Sequence, residues 1–448
     1  MKSVLSAFSY YGGKAKLAPL ICDMLDYSHS TMYIEPFGGG ARVLLNKPRH
    51  EIEIYNDANA GLCAFMRIIG DSRRSDKLID MLYHSEYSAE EFYSALAYCN
   101  RYEDNYIDEF TRLISFYLKH LYKKYQLEEL QDIKRDISSI RRRKTGSVNL
   151  NSLESSLKDT PLTSRERLLL VELFSQYTRA QKLFAKTYEK TISAAFESLK
   201  PQIVNESKKR IKEITEDKSI TTEKRQKTLK QLNSIINKFG ALSYKELTKR
   251  ERSIFERTMS KPIYELVHDK FNNNIAQSME DVDEMKLAYS TYIVYSQSRD
   301  GMGKDWSNAR FKSTFDYHGY ISNLYDVAAR MNGVRVFQEG ALAFLLNENY
   351  LNRKDAMFYL DPSYLSPEDE SKNLGSTYKF SSDFDAHELL LKTICNARAK
   401  ILISNYDLPL YNKYLTTAGG WRKIEIDTKT TVGGTKDNKR KEILWYNY

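Results

Sequence analysis

Residues 32–57 read MYIEPFGGGARVLLNKPRHEIEIYND, an order of strand, glycine-rich turn, helix and strand. Two short β-like runs, MYIEPF and EIEIYND, flank three glycines that lead into ARVLLNK, the start of a helix. Missing Cβ atoms let the backbone approach a ligand closely, and a helix start offers free N–H groups. Asp57 follows Gly38 by 19 residues. Because α/β proteins hold ribose hydroxyls with an acid at about 20 residues' distance, this spacing favours a nucleotide-like cofactor. A structural turn with a capping acid remains the alternative.

The other end of the chain repeats the same alternation of strands and helices. MFYLDPSY (357–364) and KILISNY (400–406) have the pattern of buried parallel strands, and HELLLKTICNA (387–397) has that of a crossover helix. The tail, WRKIEIDTKTTV followed by KRKEILWYNY, predicts two strands joined by a Gly-Gly-Thr-Lys loop, which is a β-hairpin. The two ends together therefore predict one α/β sheet.

The middle of the chain is helical in pattern. Residues 165–196 carry apolar side chains at helical spacing, and residues 206–239 form a charged stretch that predicts a helical hairpin broken near 219–222. RRRKTGSVNLNS (141–152) is typical of a basic loop. We therefore predict a discontinuous α/β domain, residues 1–84 and 290–448, with a helical insertion at 85–289.

The positive charge of the chain is concentrated in this middle segment. The net charge is +9, but residues 119–261 contain 33 Lys and Arg against 18 Asp and Glu, a local balance of +15. A polyanion is the natural partner for such a segment. A solvated, charge-rich helical region is the alternative interpretation.

Several classes of protein are excluded or disfavoured by composition. No stretch approaches the roughly 18 apolar residues of a membrane helix, and the N-terminus has no apolar run of signal-peptide length. The seven histidines show no metal-ligand spacing, so we predict no catalytic metal. The cysteines lie far apart without a C-x-x-C pair, which favours reduced thiols in a cytoplasmic protein; they are Cys22, Cys63, Cys99 and Cys395.

Asp361, Pro362, Ser363 and Tyr364 follow the apolar run MFYL, so they lie where open α/β sheets bind ligands. An aromatic exocyclic amine is a poor nucleophile because its lone pair is delocalised into the ring. A carboxylate and a backbone carbonyl that accept its two N–H groups would localise that lone pair. Proline fixes the backbone, and an aromatic ring at the fourth position can stack on a flipped base. An ordinary strand-ending turn explains the same four residues equally well.

Four blocks in this order make the chain resemble the Dam-type (D12 class) adenine-specific DNA N6-methyltransferases. FSYYGGKAKLAPLI (8–21) resembles the N-terminal cofactor motif, YIEPFGGG the F-x-G-x-G motif, YNDAN the ribose-binding acidic motif and FYLDPSY the D-P-P-Y catalytic motif. The later runs YKFSSDFDAHELL, KILISNY and GGTKDNKRKEIL also follow the family pattern. The blocks cover about 1–70 and 330–448, and together they are far more specific than any one of them.

The resemblance implies a Rossmann-like sheet, S-adenosylmethionine as methyl donor, and transfer to the N6 amine of a flipped adenine in duplex DNA. The basic insertion falls where the family has its target-recognition domain, and a cognate restriction endonuclease is a candidate partner in a bacterial or phage setting. We expect catalysis by Asp361, Pro362 and Tyr364. The expected cofactor-binding residues are Tyr10, Lys14, Phe37, Gly38, Gly40, Asp57, Glu339 and Asp361. The expected DNA-binding residues are Arg141, Arg142, Arg143, Lys304 and Lys436.

Two positions depart from the family pattern. The catalytic motif has Ser363 in place of its second proline, which loosens the backbone there. The family usually has an acid that meets the cofactor's adenine where this chain has Gly340, and Glu339 is the neighbouring substitute. These two departures leave open a DNA-binding protein with an inactive methyltransferase domain. An RNA adenine methyltransferase, which could use the same cofactor and similar chemistry, is the nearest alternative.

Overall fold

The computed structural model describes most of the chain, in eleven stretches. They are residues 4–100, 106–133, 135, 150–216, 222–248, 252, 283–311, 314–347, 349–366, 383–429 and 439–448. The chain divides into two compact units, Met1–Cys99 with Val282–Tyr448, and Asn100–Asp281. The first unit is thus discontinuous in sequence, and its boundaries fall inside the limits of 85 and 289 that the sequence predicts for the insertion.

A seven-stranded sheet forms the centre of the first unit. The strands are β1 (Met32–Glu35), β2 (Ile52–Asn56), β3 (Arg335–Phe337), β4 (Ala356–Leu360), β5 (Lys400–Tyr406), β6 (Arg422–Lys429) and β7 (Lys439–Tyr446). Their order across the sheet is β3-β2-β1-β4-β5-β7-β6. Strands β1 to β5 pair in parallel, whereas β7 pairs antiparallel with both β5 and β6. The mixed α/β class, the parallel β4–β5 pair and the C-terminal hairpin are confirmed.

Eleven α-helices are described in this first unit. They are Ala18–Met24, Arg42–Asn46, Ala60–Gly70, Ser75–Tyr83, Ala89–Cys99, Glu284–Gln297, Thr314–Ser322, Leu324–Met331, Ala341–Asn347, Phe384–Ile394 and Pro409–Tyr414. Short 3₁₀ helices cover Arg299–Gly301, Asn349–Asn352 and Thr417–Gly419. Side-chain caps fix several helix starts: Asn59 accepts from the Leu62 N–H at 3.1 Å, and Asp383 from the Ala386 N–H at 2.9 Å. The crossover helix therefore begins at Phe384, three residues before the predicted start.

The helices Ala89–Cys99 and Glu284–Gln297 explain where the boundaries of the first unit lie. They pack against each other, and Glu284–Gln297 also packs against Ala60–Gly70. Their inner faces are buried, with Phe92, Tyr93, Tyr292 and Ile293 fully inaccessible to solvent. Removing these apolar faces from water holds both helices to the α/β unit, although the chain between them leaves it.

The core under the carboxyl ends of the strands is apolar and continuous. All five residues of β4 and all four of β1 are buried. They pack with the helix Phe384–Ile394 and with two tryptophans of the C-terminal segment, Trp421 and Trp445. Strands buried on both faces must be apolar throughout, which is why MFYL and KILIS have no polar alternation.

Every regular element described between residues 106 and 248 is helical. The helices are Tyr106–Tyr125, Leu150–Lys158, Ser164–Glu216 and Thr222–Ala241, with a 3₁₀ turn at Tyr244–Glu246. Ser164–Glu216 is one helix of 53 residues, where the sequence suggested separate segments at 165–196 and 206–239. Pro201 lies within it. Among the described residues, no helix is both long enough and apolar enough to cross a membrane.

Candidate functional site

A cavity of about 360 Å³ opens at the carboxyl ends of β1, β2 and β4. Strand β1 lies between β2 and β4, so the chain order of the parallel sheet reverses here. Open α/β sheets bind ligands at such a switch point. The cavity is lined by Tyr10, Tyr11, Gly12, Gly13, Lys14, Glu35, Pro36, Phe37, Gly38, Gly39, Gly40, Arg42, Val43, Asp57, Ala58, Gly340, Ala341, Leu342, Ala343, Tyr359, Asp361 and Ser363.

The glycine-rich turn after β1 is shaped by close contacts that exclude side chains. A Cβ on Gly38 would overlap the ring of Tyr55, and a Cβ on Gly40 would lie 3.0 Å from the Cβ of Tyr10. Gly39 has a φ of +47°, a left-handed conformation that favours glycine. The Gly38 N–H donates to the carbonyl of Asn56 at 2.8 Å, which ties the turn to the end of β2.

Asp57 is fixed by the same turn. Its Oδ2 accepts from the Gly39 N–H at 2.8 Å, and its Oδ1 accepts from the Asn59 N–H at 2.8 Å. Burial raises the pKa of Asp57, and these backbone N–H groups oppose that rise. The carboxyl group is therefore oriented by the backbone, and it borders the cavity at the end of β2.

Glu35 is a cavity residue that our sequence reasoning missed. It ends β1, its side chain is buried, and its Oε1 accepts from the hydroxyl of Tyr33 at 2.6 Å. Burial raises the pKa of Glu35 to about 7. Its position directly before Pro36 and the glycines was the available signal, because the last residue of a parallel strand faces the ligand-binding edge of the sheet.

The N-terminal segment covers the glycine turn. The ring of Tyr10 lies over Gly39 and Gly40 and contacts the ring of Tyr295, with 5.2 Å between ring centroids. The loop 298–306 supports this segment, because the Tyr11 N–H donates to the carbonyl of Gly301 at 3.1 Å. Lys304 lies in that loop, half-buried, and does not line the cavity.

Asp361 is held by two side chains from distant parts of the chain. Its Oδ1 lies 2.9 Å from the Nζ of Lys14 and accepts from the hydroxyl of Ser404 at 3.0 Å. Burial raises the pKa of Asp361, and the charge of Lys14 opposes that rise. Within the described part of the chain, only Oδ1 receives such contacts, so Oδ2 is available to a ligand.

Tyr364 belongs to the same group of side chains but not to the cavity lining. Its hydroxyl donates to Glu442, and its ring meets the ring of Tyr406 edge-on, at 4.9 Å between centroids. The Nζ of Lys14 lies 4.4 Å from the centroid of the Tyr364 ring and 3.4 Å from the Oε1 of Glu442. Sequence reasoning missed Glu442 and Ser404, since each lies on a different strand from Asp361.

The carbonyl of Ser363 is fixed by His387. Burial lowers the pKa of His387 to about 4, so the imidazole is neutral at physiological pH. Its Nε2 lies 2.9 Å from the Ser363 carbonyl, which can only accept, so Nε2 carries the proton. Nδ1 then accepts from the hydroxyl of Tyr411 at 2.8 Å. With Pro362 buried, the backbone after β4 is held on both sides of the turn.

Glu339 does not line the cavity, whereas Gly340 does. The side chain of Asn56 accepts from the Glu339 N–H at 3.1 Å and donates to the Glu339 carbonyl at 3.0 Å. Both backbone groups of Glu339 are thereby fixed against β2, and the chain reaches the cavity only from Gly340 onwards. Glu339 as the substitute for the missing acid therefore finds no support in the geometry.

The remaining expected residues are distributed as follows. Tyr10, Lys14, Phe37, Gly38, Gly40, Asp57 and Asp361 all line the one cavity. Pro362 and Tyr364 adjoin it without lining it. Arg141, Arg142, Arg143 and Lys436 lie outside the described residues. Within the described ranges, no group of three or more His, Cys, Asp or Glu side chains is arranged to hold a metal ion, and the four cysteines are free thiols.

Comparison with known families gives one finding. Residues 10–163 match the family model described as D12 class N6 adenine-specific DNA methyltransferase. The match includes most of the N-terminal block, the glycine turn and Asp57, and it ends before the D-P-S-Y block. It confirms the resemblance and indicates DNA adenine methylation. A comparison with curated proteins gives no match.

Proposed function

Because residues 10–163 match the D12 class N6 adenine-specific DNA methyltransferases, we propose that this chain transfers a methyl group from S-adenosylmethionine to the N6 amine of a flipped adenine in duplex DNA. In this proposal the first unit is the Rossmann-like catalytic domain, and the helical unit recognises the target.

One observation carries the proposal: a single cavity joins the glycine turn and Asp57 to Asp361. The first two are separated from Asp361 by about 300 residues of sequence, yet β1 and β4 are neighbours in the sheet. A nucleotide held at the ends of β1 and β2 would therefore lie beside the carboxylate at the end of β4. Methyl transfer requires this closeness of donor and acceptor sites.

The residues present suit an adenosine cofactor that carries a charged amino-acid end. Glycines 38 to 40 leave backbone accessible, Asp57 offers carboxylate oxygens for ribose hydroxyls, and Gly340 to Ala343 add an apolar surface for the base. Bound there, S-adenosylmethionine supplies a methyl group on a positively charged sulfur. Phe37 and Tyr10 line the same space with aromatic rings, which would exclude water from the bound cofactor.

For the target base, Asp361 supplies the acceptor that activates the amine. Its Oδ2 and the carbonyl of Pro362 would accept the two N6–H groups, which localises the nitrogen lone pair. The contacts of Lys14 and Ser404 to Oδ1 fix the carboxylate plane. Tyr364 would stack on the ring of the base.

Duplex DNA is the proposed partner of the helical unit. Among its described side chains, an exposed set of lysines follows the long helix and the helix after it: Lys208, Lys209, Lys212, Lys227 and Lys230. Phosphate contacts release counterions, so affinity should fall steeply as salt rises. Charge reversal of Lys208, Lys209 and Lys212 should weaken binding and flatten the salt dependence. Arg141, Arg142 and Arg143 are a second set for the same substitution.

The function is tested by incorporation of labelled methyl groups from S-adenosylmethionine. Duplex DNA should accept label at adenine N6, and structured RNA of matched length should not. Asp57→Ala should weaken cofactor binding measured by calorimetry, while the fold, followed by circular dichroism, stays intact. Labelling of RNA alone would support an RNA methyltransferase instead, and no labelling of either polymer would overturn the proposal.

A further inference from the structure

Arg42 lines the cavity directly after the glycine turn. It is the first residue of the helix Arg42–Asn46, and its side chain runs towards the N-terminal segment. Its Nη2 would lie 3.9 Å from a Cβ built on Gly13. A side chain at position 13 would therefore contact the guanidinium, and glycine leaves that position beside it unfilled.

The charge of Arg42 is not neutralised by the protein. Within the described part of the chain, no carboxylate lies within 4.0 Å of its guanidinium, and its Nε is buried without a hydrogen-bond partner. Burial lowers the pKa of Arg42. The other cation of the cavity, Lys14, is in contrast paired with both Asp361 and Glu442. A partly buried guanidinium without an anion is costly, so a ligand anion at this place would be bound favourably.

We propose that Arg42 binds the α-carboxylate at the amino-acid end of S-adenosylmethionine, an inference that rests on the proposed function. A guanidinium binds a carboxylate through two parallel hydrogen bonds. The two carboxylates nearest to Lys14 already hold that lysine, so Arg42 is the cavity cation that remains for a ligand anion. With the ribose at Asp57, the amino-acid end extends over the glycine turn towards Arg42 and Gly13.

A nucleoside without the amino-acid end isolates this contact. Calorimetry would compare S-adenosylmethionine with 5′-methylthioadenosine, which keeps the adenosine and lacks the carboxylate. For Arg42→Gln we expect a Kd for S-adenosylmethionine about tenfold to a hundredfold weaker, because a charge-assisted hydrogen bond is lost. The Kd for 5′-methylthioadenosine should stay within about twofold of the unsubstituted protein. Arg42→Lys should fall between the two, since lysine keeps the charge without the paired geometry.

Arg353→Gln is the matched control, because Arg353 forms an exposed pair with Asp355 and does not line the cavity. It should change neither affinity, and urea midpoints should show that all variants fold. An equal loss for both nucleosides, or unchanged binding of S-adenosylmethionine, overturns the assignment. A loss of duplex DNA affinity alone also overturns it, since Arg42 would then bind a phosphate. If the unsubstituted protein binds neither nucleoside, the proposed function itself fails.

Discussion

Two lysines of the first unit have nearly the same surroundings, one near the amino ends of the parallel strands and the other near their carboxyl ends. Lys47 lies 4.2 Å from the ring centroid of Tyr33 and pairs with Glu53. Lys14 lies 4.4 Å from the ring centroid of Tyr364 and pairs with Asp361. In each case the tyrosine hydroxyl donates to a carboxylate, Glu35 in the first and Glu442 in the second. We call these groups the Lys47 cluster and the Lys14 cluster.

The two clusters differ in how far their side chains are exposed to solvent. In the Lys47 cluster the side chain of Lys47 is 0% exposed and that of Glu53 is 3% exposed. Arg330 closes it with two hydrogen bonds to Glu53, of 2.6 and 2.8 Å. In the Lys14 cluster the side chain of Asp361 is 20% exposed and borders the cavity. The same residue types thus form a closed group around Glu53, which Tyr33 links to Glu35 at the cavity, and a group at the carboxyl end of β4 in which Asp361 itself borders the cavity.

The pKa shifts of the two carboxylates have opposite signs. Burial raises the pKa of Glu53, but the hydrogen bonds from Arg330 and the charge of Lys47 outweigh it, so the net pKa is lowered. For Asp361 burial outweighs the opposing effect of Lys14, so the pKa is raised. The fold therefore stabilises the charge of Glu53 and destabilises that of Asp361. A carboxylate whose charged form is destabilised by burial beside a cavity is typical of functional sites.

Asp361→Ala should have the largest effect on activity. We expect the single-turnover rate of methyl transfer to fall by about 10²–10³-fold or more, because a preorganised acceptor for the amine is lost. Duplex DNA binding, measured by fluorescence anisotropy, should persist. Asp361→Asn should keep a small residual rate, since its amide oxygen can still accept one N–H group. A rate for Asp361→Ala equal to that of the unsubstituted protein would move the active site elsewhere.

Glu53→Gln should have the largest effect on stability. Removing one partner from a buried ion pair leaves Lys47 and Arg330 uncompensated and costs about 3–5 kcal/mol of unfolding free energy. Asp361→Asn should cost about 1 kcal/mol or less, because its pair borders the cavity. Urea denaturation at neutral pH measures both.

The pH dependence sharpens this contrast. Because the pKa of Glu53 is lowered in the fold, its contribution is present above the ordinary Glu pKa and is lost as pH falls through the folded value. Glu53→Gln should therefore lose less stability on acidification than the unsubstituted protein. If Glu53→Gln and the unsubstituted protein lost stability equally on acidification, the Lys47 cluster would not carry this pH-dependent stabilisation.

Tyr364→Ala should lower the transfer rate by an intermediate amount. Stacking of a base on an aromatic ring is worth about 1–3 kcal/mol, or roughly tenfold to a hundredfold in the rate if it acts at the chemical step. Tyr364→Phe keeps the ring and loses only the hydroxyl bond to Glu442, so it should retain most of the rate. Tyr33→Phe, the matched change in the Lys47 cluster, should alter unfolding and lower the rate less than Tyr364→Ala does, because Tyr33 reaches the cavity only through its hydroxyl bond to Glu35. A larger loss for Phe than for Ala at position 364 would contradict the stacking role.

The sequence predicted what local spacing encodes. The glycine turn, Asp57 and Asp361 were found because each lies at the end of an apolar strand or at a fixed distance from one. The helix that begins at Ser164 was divided in two, since Pro201 and the charged residues after it weaken the helical pattern without ending the helix. Glu442 and Ser404 were missed because they meet Asp361 only through strand pairing, with Ser404 opposite Leu444 on β7. No spacing within the sequence records that register.

The smallest effect concerns Ser363, where the family pattern has a second proline. Ser363→Pro should leave the rate unchanged or raise it slightly, because proline would restrict a backbone that His387 already holds through the Ser363 carbonyl. His387→Leu should lower the rate about twofold to tenfold, since the hydrogen bond that fixes the Ser363 carbonyl is lost together with the one to Tyr411. If His387 and a proline at position 363 restrict the same backbone turn, His387→Leu should lower the rate less in the Ser363→Pro variant than in the unsubstituted protein. A double-mutant cycle of single-turnover rates measures this difference. Strict additivity would mean that His387 and Ser363 act on the rate independently. The turn after β4 would then be held by Pro362 and by the pairing of β4 with its neighbours, without a contribution from the His387 bond to the Ser363 carbonyl.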